Sequence, residues 1–497
     1  MYKICILLVA VLFFSCSKEG PTFTLKNGLH ISEVMVLTSQ NGDYQPFEGH
    51  VLTEGEHIVY VGETAPRVIG NFEHLNGKGK FLIPGLIDSH VHAEGVTGML
   101  PQHIEKHPEL ASQFNKQVPR SYLYFGFTTL INLGGISEEY LAFLNDQPLT
   151  PYLYHTGRSG TSVANGYPMN FVPEEFRFES TPNFIYLESQ AESIPDKFNP
   201  ADHSPRAVVE RIKDSGAIAV KSYYERGFHG MDKLPVPTRE IIDELQQQAH
   251  QNGLVLTVHG NSLEAHSFLA VAGVDVIAHG LWNWEKYFEV PHDSLPTEIM
   301  EILDMQIEKG IGYNPTLTVI EGEKLLADPE FLNDPQLEHV LPAGLIDWYK
   351  TEEGQWFTKE LFGDFPVDQV NKIYGSIQAH GQRALKYLFD HGGLILFGTD
   401  TPSGPIYGNP PGYNGYMEIK LMHEAGVPLN EILASATVNN AKMFGLDSLA
   451  GSIEAGKRAN MVILTRNPLQ EVEAYDNIET VILSGMTIER SALSLKD

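Results

Sequence analysis

The sequence predicts an α/β fold, a TIM-like (β/α)8 barrel joined to a small β-sandwich built from both chain ends. Short apolar runs alternate with amphipathic stretches through the middle of the chain, which is the pattern of parallel strands joined by crossover helices. Both ends carry only short β-like runs, separated by Gly, Asn, Asp and Ser. With 497 residues and 42% hydrophobic content, the chain can bury one large core and a satellite.

The elements follow in order. In residues 1–20, Lys3 precedes an apolar run of eleven residues, 4–14, followed by Ser15-Cys16-Ser17-Lys18. That layout predicts an export signal. Eleven residues at 1.5 Å each are too short to cross about 30 Å of hydrocarbon. A small residue before Cys at the end of such a run resembles a bacterial lipoprotein signal. The resemblance implies a lipid anchor on Cys16 and a place in the cell envelope, periplasm or outer membrane; Phe13 stands where that signal usually has Leu. Cys5 and Cys16 are the only cysteines, so the mature domain is expected to have neither disulfide nor thiol chemistry.

Residues 21–83 supply the first part of the sandwich, with β-like runs at 34–37, 49–52 and 58–62. Residues 446–497 supply the second, with runs at 459–464 and 480–485. Between them, residues 84–445 hold eight candidate strands: 86–92, 127–133, 151–157, 217–223, 254–259, 274–279, 311–317 and 394–400. Helices are clearest at 238–252, 296–309 and 369–391, each followed by glycine as a C-terminal cap. A (β/α)8 barrel gathers its chemistry at the C-terminal ends of the strands, so reactive residues should stand last in each run.

Several do. The first run ends in His90-Val91-His92, and alternation places both imidazoles on one face, able to converge on one divalent ion. The fifth and sixth runs end in His259 and His279, and the eighth delivers Asp400 to the same rim. Four histidines closing three strands are hard to explain as core packing, because a buried imidazole needs partners. The fourth run reaches Lys221, which has either a chemical role or a salt bridge with Glu225.

This order, Pro84-Gly-Leu-Ile-Asp-Ser-His-Val-His92 with Lys221, His259, His279 and Asp400, resembles the amidohydrolase superfamily over nearly the whole mature chain. The flanks 434–441 and 451–459 fit too, with Asn460 where that family usually has Asp. The resemblance implies that His90, His92 and Asp400 hold one Zn2+ or similar ion and that His259 and His279 hold a second. It implies that Lys221 bridges them as a CO2-derived carbamate. A metal-activated hydroxide would then attack, with Asp400 as proton acceptor and donor. Within the superfamily the pattern is closest to imidazolonepropionase-like and prolidase-like members, which implies a dipeptide or N-acyl amino acid as substrate.

Tyr223, Tyr224, Arg158 and Arg226 are candidate substrate contacts, either arginine being able to hold a carboxylate. Alternatives on the same scaffold are a mononuclear deaminase or cyclic-amide hydrolase, a lactonase or phosphotriesterase-like hydrolase, and a non-catalytic exported binding protein. The deaminase reading needs a Glu soon after the fifth-strand histidine, and Glu264 comes late. With 34 basic and 63 acidic residues the formal charge is −29, which disfavours nucleic acid and anionic membrane as partners. Membrane contact is expected only through the anchor, and homo-oligomerisation is left open.

Overall fold

The computed structural model describes residues 20–227, 233–291 and 294–496. The expected signal segment and Cys16 lie almost wholly outside them. The architecture is α/β with several sheets. Strands β1 (Thr22–Val36), β2 (Phe47–Glu54), β3 (His57–Gly62), β4 (Arg67–Asn76) and β5 (Phe81–Pro84) open the chain. The parallel strands β6 (Leu86–Val91), β7 (Phe127–Asn132), β8 (Tyr152–His155), β9 (Ala219–Tyr223), β10 (Val255–His259), β11 (Val276–Ala278) and β12 (Gly312–Asn314) follow. The chain closes with β13 (Met461–Leu464), β14 (Ile478–Leu483) and β15 (Met486–Glu489).

Both chain ends meet in one eight-stranded mixed sheet, in the order β15-β14-β13-β5-β1-β2-β3, with β4 paired to β1. Leu29, Ile31, Val34, Val51, Met461 and Ile482 bury one common core there. Sequence reading did not anticipate β4. Its side chains are mostly exposed, so it carries little hydrophobic alternation.

The continuous apolar run 81–92 divides at Gly85 between β5 of the terminal sheet and β6 of a parallel one. A Cβ on Gly85 would stand 2.1 Å from Thr128 Oγ1, so only glycine passes there without displacing β7.

The parallel strands form two ladders, β6-β7-β8 and β12-β11-β10-β9. Hydrogen bonds span the gaps between them. Ile218 N donates to His155 O (3.1 Å), and Thr161 N donates to Lys221 O (2.6 Å). Segment 394–400 lies between the other two edges. Tyr313 N donates to Leu394 O (2.9 Å), Ser89 N to Phe397 O (3.0 Å) and Asp400 N to His90 O (2.6 Å). One apolar cluster draws Ile87, Ile131, Ala219, Val276 and Leu396 from both ladders and this segment.

Two of the eight expected strands differ. Segment 394–400 forms only an isolated bridge, Ile395 to Tyr313, so seven of the eight are strands among the described residues, and β11 ends at Ala278, before His279 at φ +89°. Asp400 also lies in the left-handed region, at φ +58°. The expected helices form as Arg239–Gln251, Thr297–Lys309 and Val367–Asp390. Thr238 caps the first by accepting from Ile241 N, and Gly310 closes the second in the left-handed region.

Beneath the strand ends, helix Tyr413–Glu424 presents Glu418, fully buried. Its carboxyl accepts from Leu317 N (3.0 Å), Thr318 N (2.8 Å) and Thr318 Oγ1 (3.0 Å), and burial raises it to about 8. Thr318 Oγ1 also reaches Thr399 O (3.2 Å), beside Asp400. Glu418→Ala would leave two amides unpaired, and a loss of about 3 kcal/mol is expected in urea unfolding. A loss below about 1 kcal/mol would show that this strut contributes little.

Candidate active site

The C-terminal ends of β6, β10, β11 and segment 394–400 bring four imidazoles and one carboxylate together. His92, His90, His279 and His259 form an arc, with successive ring centroids 5.6, 4.9 and 4.4 Å apart. Asp400 Oδ1 lies 2.8 Å from Nε2 of both His90 and His92. These three residues make a donor group whose ligand atoms all fall within 4.8 Å of one another. The His90 side chain is fully buried whereas His92 is 33% exposed, so the group opens to solvent over His92.

Lys221, on β9, belongs to the same centre, its charge felt by His90, His259 and His279. It is 1% exposed, and its Nζ has no hydrogen-bond partner among the described residues. Glu225, a conceivable salt-bridge partner, instead lies 3.4 Å from His259 Nε2 and accepts from Gly227 N.

Electrostatics follow from burial. It pushes His90 down to about 3 and His279 well below the usual imidazole range, so both are neutral at pH 7. Burial also lowers Lys221 to about 7, with the Asp400 charge partly opposing. For Asp400 burial works against ionisation, but the imidazoles packed around it, His90 also through a hydrogen bond, favour the ionised carboxyl and hold it well below its ordinary value.

Several residues that sequence reasoning missed fix this geometry. Thr316 Oγ1 lies 2.9 Å from His279 Nδ1 and leaves Nε2 for other work. Asp88 accepts from His90 N (3.1 Å), Thr399 N (3.1 Å) and Thr399 Oγ1 (2.7 Å), fastening β6 to segment 394–400. Its place two residues before His90 is a signal the sequence did hold. Gly134 leaves room for His92, since a Cβ there would meet His92 Nδ1 at 2.5 Å. Tyr167 stands 4.8 Å from the His259 ring and 5.6 Å from that of Tyr223, while Trp282 stands 5.5 Å from His279. These rings build an aromatic wall beside the imidazoles.

Of the expected substrate contacts, Tyr223 joins that wall, 6.1 Å from His259. Tyr224 and Arg226 have partners of their own. The Tyr224 ring stacks on Phe268 at 4.5 Å and its hydroxyl donates to Glu264 (3.1 Å), while Arg226 Nε donates to the same carboxylate at 2.8 Å. Arg158 has an exposed side chain on the loop after β8.

The donor set fits a divalent metal. Neutral imidazoles, an ionised carboxylate and a lysine low enough to be partly uncharged are the protonation states that ligation requires. The fully buried His90 ring leaves Nδ1 without a hydrogen-bond partner among the described residues, while its Nε2 stands 2.8 Å from Asp400 Oδ1.

Known proteins resemble this arrangement in fold. A solved Xaa-Pro dipeptidase with methionine bound in its active site aligns with TM-score 0.61 at 20% identity, covering 93% of this chain and 100% of the other. Molinate hydrolase aligns with TM-score 0.64 at 17% identity (94% and 95% covered), and A. niger ochratoxinase with TM-score 0.62 at 17% identity (93% and 96%). No curated protein sequence matches the chain. The sequence model of the Amidohydrolase family matches residues 81–488, which include every member of the imidazole arc, Lys221 and Asp400. The chain therefore belongs to the amidohydrolase family of metal-dependent hydrolases.

Proposed function

We propose that this protein hydrolyses a carbon–nitrogen bond of a small dipeptide or N-acyl amino acid. The reading includes a closed (β/α)8 barrel over residues 84–445, supported by the hydrogen bonds that link both ladders with segment 394–400. It also includes a terminal β-sandwich from residues 21–83 and 446–497, supported by the core the two ends share. A lipoprotein signal in residues 1–20 would place the enzyme in the cell envelope. Among the described residues no helix is long and apolar enough to cross a membrane.

The observation that carries the catalytic reading is the convergence of His90, His92, His259, His279, Lys221 and Asp400 on one centre. In this reading His90, His92 and Asp400 hold one ion, preferably Zn2+, and His259 and His279 hold a second. Lys221, as a carbamate, would serve as a further ligand. Metal bound by these residues would supply a water of lowered pKa and a Lewis acid for the scissile carbonyl. Asp400, anionic and 2.8 Å from two ligating imidazoles, accepts the proton released on attack and returns it to the leaving nitrogen. Tyr167, Tyr223 and Trp282 exclude bulk water from the buried side of the arc. Solved relatives include a prolidase complexed with N-methylphosphonate-L-proline, which supports the choice of peptide-like substrates.

A mononuclear site rests on one specific observation, that the tight donor group among the described residues is His90, His92 and Asp400 alone. A library of dipeptides and N-acyl amino acids, assayed with protein of measured metal content, tests both readings. Hydrolysis of at least one member, lost on chelation and restored by Zn2+, is expected. Two ions whose removal accompanies the loss of activity support the binuclear site, and one such ion supports the mononuclear site. Activity only toward lactones or phosphotriesters would overturn the substrate class.

A further inference from the structure

Away from the arc, three histidines share the outer face of the terminal sheet. His30 on β1 is in register with His74 on the parallel β4 and with Leu52 on the antiparallel β2. His50 precedes Leu52 by two residues and so lies on the same face. The intervening Leu29 and Ile31 point into the core and are fully buried. His30 is flanked by the other two rings, with centroids 5.5 Å to His50 and 5.1 Å to His74.

His30 Nε2 and His50 Nδ1 stand 3.3 Å apart. That is long for a hydrogen bond between nitrogens. It matches the separation of roughly 3.3 Å between two nitrogens bound tetrahedrally to one zinc at about 2.05 Å. His74 is held aside, its Nε2 2.9 Å from Ser32 Oγ. Glu33 and Glu48 place negative charge near His50. Imidazole is the ligand type that borderline cations take most readily.

We propose that His30 and His50, completed by His74 and water, form a surface site for a divalent cation of the zinc class, separate from the catalytic arc. The pair is preformed and the third ligand swings in. An ion there cross-links β1, β2 and β4, and because it binds only the folded sheet it raises the melting temperature.

Equilibrium dialysis of the full-length protein against Zn2+, followed by metal analysis, tests this. The double variant His30→Ala/His50→Ala is expected to bind one ion fewer than wild type, to hydrolyse substrate at the wild-type rate and to lose part of the Zn2+-induced rise in melting temperature. His92→Ala is expected to lose catalytic metal and keep this ion. A double variant that is folded by circular dichroism and binds as many ions as wild type overturns the site. If the alanine pair does not fold, His30→Gln/His50→Gln repeats the count, and the same two outcomes decide.

Discussion

Lys221→Ala is expected to lower kcat/KM about 1000-fold or more, equivalent to about 4 kcal/mol of transition-state stabilisation, and to remove part of the bound metal. Lys221 is completely enclosed and its Nζ has no hydrogen-bond partner among the described residues, a placement that costs stability unless something binds it. Burial brings its pKa to about 7, so a large fraction is unprotonated near neutrality, the form that reacts with CO2. The side chain makes no hydrogen bond among the described residues, so the alanine variant should remain folded. Metal analysis beside the kinetic assay separates the cases. Full activity with unchanged metal content would remove the bridging role.

A comparable effect is expected of Asp400→Asn, with kcat reduced about 10³- to 10⁴-fold, the range of a lost general acid–base group. The amide is isosteric, and Asn tolerates a left-handed backbone as well as Asp does, so φ +58° is no obstacle to folding. What is lost is the negative charge between His90 and His92. Melting temperature should stay within a few degrees of wild type while metal affinity falls. A kcat within tenfold of wild type would remove Asp400 from proton transfer.

The residues now gathered at the centre were legible because each ends an apolar run, and a buried strand that stops on histidine or aspartate leaves few structural explanations. Their supports were not legible. Thr316 lies 37 residues beyond the His279 it orients, and Tyr167 sits in an irregular segment with no periodicity to place it over His259. Nor was the pairing of Arg226 with Glu264 legible, because the two stand 38 residues apart in the chain. In the fold, what requires glycine between β5 and β6 is Thr128 on β7, 43 residues beyond Gly85 and invisible to local pattern.

The positive φ angles of His279 and Asp400 set durability against turnover. Side-chain-bearing residues in that region cost of order 1 kcal/mol or more each, a penalty that glycine escapes. Glycine at either place would relax the chain and remove a side chain that the proposed chemistry needs. Selection for heat resistance alone would therefore erode the centre, and a thermally improved homologue that keeps His and Asp here must have gained its robustness elsewhere.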